Sequence, residues 1–268
     1  MKTIITGVDF SASSYNAAKY AAMLAQKLNY KLILFNMYEV PLLHSNSGLY
    51  FMPSDSIREE SVNGTDLFCK KLRKLYPKIE IGAFVSTGFF KQQLTNFIKT
   101  HQVKLVVMGI TTKNKFSKFL YGSHSTEIAG KINVPVIVVP DNFKKHRLHK
   151  VLLGVDNKEK LHKSSLTAFE NFVKETKAIT NLLHVQTEDE IFVDKTQTTI
   201  KLNGKNQKIV SCPYSTFESG ISAYAKEKEV DLITIISKKH SAFYNLFNES
   251  NTKKIASTSK IPIMAIHE

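Results

Sequence analysis

Apolar and polar positions change period several times along the chain, and the changes mark out its elements. Thr3 to Val8 is a short β-branched apolar run, the pattern of a strand buried on both faces. From Ser11 the period turns helical: Ala17, Ala21, Leu24 and Leu28 share a face, and Ser11 or Ser13 can cap its start. Lys31 to Met37 reads as a strand, Ser56 to Leu75 as a helix, Ile79 to Ser86 as a strand and Phe90 to His101 as a helix. A strand over Leu105 to Met108, a helix over Ser123 to Ile132 and a strand over Val134 to Val139 close the series. Strands alternating with amphipathic helices predict a parallel sheet covered on both faces.

The pattern then starts again. Ile4 to Asp9 (IITGVD) returns as Val151 to Asp156 (VLLGVD), 147 positions on. Leu105 to Pro140 lines up without gaps against Leu232 to His267, but at an offset of 127. The second half is therefore about 20 residues shorter in its middle. Thr187 to Cys212 has no helical stripe, and IKLNGKNQKIV reads as a hairpin around Asn203-Gly204. This predicts two α/β domains, 1–140 and 151–268, with a linker over 141–150 and no second helix in the later domain.

Composition narrows the classes. The 268 residues suffice for two cores, and 43% hydrophobic with 22% charged residues is ordinary for a globular protein. No run approaches the roughly 18 apolar residues of a membrane helix, and Asp9 comes too early for a secretory signal, so a cytoplasmic protein without membrane contact is expected. Cys69 and Cys212 make no disulfide framework and read as small hydrophobes. The net charge of +14 favours anionic partners, yet the lysines are scattered, and the densest cluster (Lys144, Lys145, Arg147, Lys150) lies in the linker. Nucleophile elbow, Walker loop, zinc spacing, helix-turn-helix and RNA-binding signatures are all missing, so neither a dedicated catalytic cycle nor specific nucleic-acid binding is expected. His146 and His149, three apart in the linker, read as surface polar residues rather than a metal site.

The candidate chemistry lies at the strand ends. In open parallel sheets ligands bind beyond the carboxyl ends of strands, and Asp9, Met37 and Gly109 all fall there. Gly109 lets the backbone turn sharply without a Cβ, while Gly122-Ser123-His124-Ser125 opens a helix whose free N–H groups favour an anion. The same residues also suit an ordinary turn and cap.

Gly109, Gly122 and Ser123, spaced G-x-x-x-(nine residues)-G-S, resemble the nucleotide loop of universal stress proteins, whose usual pattern is G-x-x-G-(nine residues)-G-S/T. Gly7-Val8-Asp9-Phe10-Ser11, Leu182-Leu183-His184-Val185, Phe119-Leu120-Tyr121 and Val134-Pro135-Val136-Ile137-Val138-Val139 are similar to that family as well. The resemblance covers both halves and implies a tandem member. It implies two five-stranded parallel sheets of order 3-2-1-4-5, in the adenine-nucleotide alpha hydrolase-like manner, paired as an intrachain pseudo-dimer often through their last strands. It leaves open a homodimer of such chains.

The resemblance further implies ATP as ligand, with Mg as its counter-ion. Gly7, Val8, Asp9 and Met37 would surround adenine and ribose; Gly109, Gly122, Ser123 and Ser125 would hold ribose and phosphates beside His124, with Met108 packed nearby. One position departs from the pattern: Thr112 stands where the family has its second loop glycine, and a Cβ there narrows the space for phosphates. In the second half Ile236, Lys239 and Glu249 replace Gly109, Thr112 and Gly122, so that half is expected to hold no nucleotide. The expected function is a non-enzymatic, ATP-linked stress or regulatory protein with at most slow hydrolysis, acting on an unnamed protein partner. The alternative is a scaffold of the same fold without nucleotide.

Overall fold

The structure, a computed structural model, describes residues 1–39, 42–45, 48–51, 54–110, 132, 134–155, 163–186, 199–237 and 259–267. In chain order the elements of the first half are β1 (Thr3–Gly7), α1 (Ala12–Leu28), β2 (Lys31–Tyr38), β3 (Leu42–Ser45), β4 (Gly48–Phe51), α2 (Ser54–Leu75), β5 (Ile81–Thr87), α3 (Phe90–Thr100), β6 (Val103–Ile110) and β7 (Val136–Pro140). The second half follows with β8 (Lys150–Gly154), α4 (Lys163–Thr176), β9 (Ile179–Gln186), β10 (Thr199–Leu202), β11 (Lys205–Lys208), β12 (Val210–Pro213), α5 (Phe217–Glu227), β13 (Leu232–Ser237) and β14 (Ile263–His267). The helix expected over 123–132 lies outside the described residues except for Ile132.

Ten strands form one sheet in the order β12-β9-β8-β13-β14-β7-β6-β1-β2-β5. Numbered within its own half, each set of five reads 3-2-1-4-5, all parallel. Register repeats too: Gly7 faces Phe35, and Gly154 faces Leu183. The two five-stranded sheets expected from the sequence are thus joined edge to edge. The seam is antiparallel, Ile263 opposite Val138, Met264 opposite Ile137 and Ala265 opposite Val136.

The two faces of this sheet are covered differently. On one face a single apolar core runs across the seam, from Leu34 and Leu72 through Ile137 and Val151 to Phe169 and Leu202. It lies under α1, α2 and α4. On the other face the core is split, with Leu94 and Phe97 of α3 over the first half and Ile221 and Tyr224 of α5 over the second. Helix α1 sits close to the sheet because its inner face is small: Ala17, Ala18, Ala21, Ala22 and Ala25 are all fully buried. Ser11 caps it, accepting from the Ser14 N–H at 3.1 Å, and Asn29 ends it in the left-handed region.

Where the first half has α2, the described residues of the second half carry the β10–β11 hairpin. Asn203 and Gly204 both have positive φ, as a two-residue hairpin turn requires. Alternation does the rest: Ile200 and Leu202 are buried in the shared core while Lys201 is exposed. The Asn203 N–H donates to Glu170 Oε1 at 2.7 Å, tying the turn to α4. The hairpin β3–β4, in contrast, had no counterpart in the periodicity, which is polar and aromatic there without a clean alternation.

The segment 141–150 is more than a spacer. Phe143 and Leu148 are buried, and Phe143 meets the buried ring of Tyr20 edge-on at 5.7 Å. Asn16 of α1 donates from Nδ2 to the carbonyls of Pro140 (3.0 Å) and Phe143 (2.9 Å), and its Oδ1 accepts from His146 Nε2 at 3.2 Å. At the other end the carboxylate of Asp231, 2% exposed, accepts the backbone N–H groups of His149 (2.8 Å) and Lys150 (3.1 Å) and pairs with Arg147 Nε at 3.1 Å. His146 is therefore half-buried and hydrogen-bonded, not the surface residue expected from sequence. A further stitch joins Glu175 of α4 to Lys2 Nζ (2.9 Å) and to the Tyr30 hydroxyl.

Two outcomes follow from this linker. Asp231→Ala leaves two part-buried N–H groups without their charged acceptor, which should lower unfolding stability by about 2 kcal/mol in urea titrations. Burial, reinforced by nearby Lys19, lowers the pKa of His146. The unfolded chain then takes up this proton first, so stability falls as pH drops through the unfolded value of about 6.5 towards the folded one. His146→Gln should flatten that part of a stability-versus-pH curve.

Candidate functional site

The carboxyl edge of the first half is where the sheet reverses direction: from β1 the chain goes first to β2 on one side, and later to β6 on the other. In open parallel sheets ligands bind at such a reversal, beyond the carboxyl ends of the strands. Gly7 ends β1 and Val8 follows it, Met37 lies near the end of β2, and Met108 and Gly109 lie near the end of β6. These five and Asp9 are brought to one edge. Thr112, Gly122, Ser123, His124 and Ser125 lie outside the described residues.

Val8 is fixed from both sides. Its N–H donates to Phe35 O at 3.0 Å, and its carbonyl accepts from Asn36 Nδ2 at 2.8 Å. The second half repeats the arrangement: the Val155 N–H donates to Leu183 O at 2.8 Å, and His184 Nδ1 donates to Val155 O at 3.1 Å. A polar side chain one residue past the paired strand position thus pins the end of strand one in each half. Neither Asn36 nor the role of His184 was found by sequence reasoning. The signal was there, a polar residue closing an otherwise apolar strand in both repeats.

Asp9 begins a tight turn. Its Oδ1 accepts from the Ser11 N–H at 3.1 Å and from Ser11 Oγ at 2.5 Å, while its own N–H donates to Ser14 Oγ at 3.4 Å. Among the described residues its Oδ2 accepts no hydrogen bond. Between them Phe10 adopts φ 63°, left-handed and rare for a bulky residue. The carboxylate is half-buried, and among the described residues its hydrogen-bond partner is Ser11, so the turn offers Oδ2 as an acceptor.

Gly109 has a different physical reason from the one its motif suggests. It is not at a turn but within β6, paired with Val139. A Cβ there would stand 2.6 Å from the Ser13 carbonyl oxygen and 2.8 Å from Ser13 Oγ. The close approach it permits is between β6 and the first turn of α1. At Gly7 a Cβ would meet only ordinary contacts, Met108 Cε at 3.6 Å and the Phe90 ring from 3.7 Å.

Other chemistry is sparse. Burial pushes the Cys69 thiol up to about 11, and its Sγ rests 3.7 Å from Gly82 O, so it serves as a core residue. Among the described residues no group of three or more His, Cys, Asp or Glu could hold a metal ion, and no helix is long and apolar enough to cross a membrane.

Residues 1–140 match the model of the universal stress protein family. Among curated proteins none matches the chain. Of solved structures, a universal stress protein from Archaeoglobus fulgidus DSM 4304 is 14% identical with a TM-score of 0.68, over 99% of this chain and 96% of that one. A functionally unknown protein from Pseudomonas aeruginosa PAO1 is 10% identical with a TM-score of 0.56, over 99% of this chain and 92% of that one. At these identities the likeness is one of fold, and it spans both halves.

Gly109→Ala should tell packing from binding. Its Cβ must push α1 off β6, costing about 1–3 kcal/mol of stability, readable as a lower urea midpoint.

Proposed function

The chain belongs to the universal stress protein family, and from that premise we propose that it is a non-enzymatic stress or regulatory protein that binds one ATP, at the carboxyl edge of its first half. The observation that supports this reading is that Gly7, Val8, Asp9, Met37, Met108 and Gly109 lie together at the carboxyl edge where the strand order reverses. The donor and acceptor chemistry fits. Asp9 Oδ2 is an acceptor without a partner among the described residues, and the ribose hydroxyls and adenine amino group are donors.

The phosphate end of the reading rests on sequence: Gly122, Ser123 and Ser125 at a helix start, with Lys113, Lys115 and Lys118 adding positive potential. The second half keeps Ser250 and Thr252 but has Glu249 where phosphate would bind, which limits the protein to one nucleotide per chain. ATP would supply a reversible charged ligand whose occupancy an unidentified protein partner reads; residence in the cytoplasm belongs to the same proposal. One observation favours the scaffold reading instead: Gly109 serves the packing of α1, so its presence needs no ligand.

Calorimetric titration separates the two. Wild type should take up about one ATP per chain. Gly122→Glu, which copies Glu249, should abolish uptake with the unfolding midpoint nearly unchanged. Thr112→Gly should bind ATP more tightly than wild type. Equal affinity in wild type and Gly122→Glu would leave the loop as a mere connection and hand the function to the scaffold.

A further inference from the structure

Phe10 is an unusual residue in an unusual place, and we infer that it is a positioning residue for the nucleotide site: a left-handed latch, seated on Gly64 of α2, that aims the Asp9 carboxylate. The inference rests on the nucleotide reading given above. Three observations carry it. Phe10 holds φ 63°, a conformation that glycine or asparagine adopts far more readily than an aromatic residue. Gly64 lies inside the 22-residue helix α2, where alanine would favour the helix. The two meet: a Cβ on Gly64 would stand 2.8, 3.0 and 3.1 Å from Cζ, Cε1 and Cε2 of the Phe10 ring.

Neither oddity is explained by core filling. Phe10 is 41% exposed, and its ring has Phe68 edge-on at 5.5 Å as an aromatic neighbour. A backbone that disfavours phenylalanine and a helix that disfavours glycine both persist, and what their contact holds is the turn from Asp9 to Ser11. The left-handed residue brings the Ser11 N–H and Oγ back onto Asp9 Oδ1, at 3.1 and 2.5 Å. Returning residue 10 to negative φ would swing both donors away. With Oδ1 engaged and Val8 O held by Asn36, Oδ2 keeps a single heading. Fixing an acceptor before the ligand arrives removes the entropy of ordering it on binding.

The test uses ATP and two substitutions that leave Asp9 intact. Phe10→Ala removes the ring and leaves a residue that prefers negative φ, so nothing holds the left-handed turn. Gly64→Ala places a methyl where the ring rests, and the half-exposed ring can swing aside. Both should raise the ATP dissociation constant by about tenfold, the scale of one weakened hydrogen bond to a charged group. The urea midpoint should hold for Phe10→Ala, where the lost ring contact is offset by release from the left-handed region, and rise for Gly64→Ala, because alanine favours the helix. A merely structural residue would move the midpoint and spare the affinity. Asp9→Asn is the control and should weaken ATP at least as much. If Asp9→Asn weakens binding while the two latch variants bind as wild type, the latch is overturned and the nucleotide reading stands. If wild type takes up no ATP, or Asp9→Asn changes nothing, the nucleotide reading fails and the latch goes with it.

Discussion

The antiparallel pairing of β7 with β14 decides most of this architecture. A five-stranded open sheet ends in an edge of unpaired N–H and C=O groups, and pairing two such edges within one chain satisfies both. Because the seam is antiparallel, the strands of the second half run opposite to those of the first. The carboxyl edge of the first half and the amino edge of the second therefore lie at the same end of the sheet. That is why nine residues, 141–149, suffice to carry the chain from Pro140 to Lys150.

The same geometry puts this connection beside the candidate site. Asp141 donates its N–H to Ile110 O at 2.9 Å, at the root of the loop that follows β6. Asn16, in the first turns of α1, holds Pro140 and Phe143, and Asp231 of the second half holds His149 and Lys150. The end of β6, the first turns of α1 and the junction of the halves are thus one hydrogen-bonded neighbourhood. A change of packing at α1, as Gly109→Ala would bring, is felt in all three.

The two halves also show how one plan tolerates different parts. Asn36 and His184 perform the same task, donating to the carbonyl that ends strand one, though one is an amide and the other an imidazole. A helix in the first half and a hairpin in the second cover the same face. A sheet face requires apolar side chains at the right spacing, which α2 supplies through Cys69 and Leu72 and the hairpin through Ile200 and Leu202.

Apart from the β3–β4 hairpin, the order of the described strands and helices was legible in the sequence because hydrophobic period is local: Thr3 to Val8, the Ala17 to Leu28 stripe and the Asn203-Gly204 turn each announce themselves within a few residues. The repeat of Gly-Val-Asp, and through it the family and the 3-2-1-4-5 order, was legible for the same reason. What the tertiary structure alone decided are contacts between distant residues. Gly109 is glycine because Ser13, 96 residues earlier, crosses it. Phe10 and Gly64 make sense only together, and Asn16, His146 and Asp231 acquire their roles only when two halves close on one linker. Periodicity tells which face of an element is apolar; it carries no record of which atom stands opposite, and close approaches of 2.6 to 3.1 Å are set by that alone.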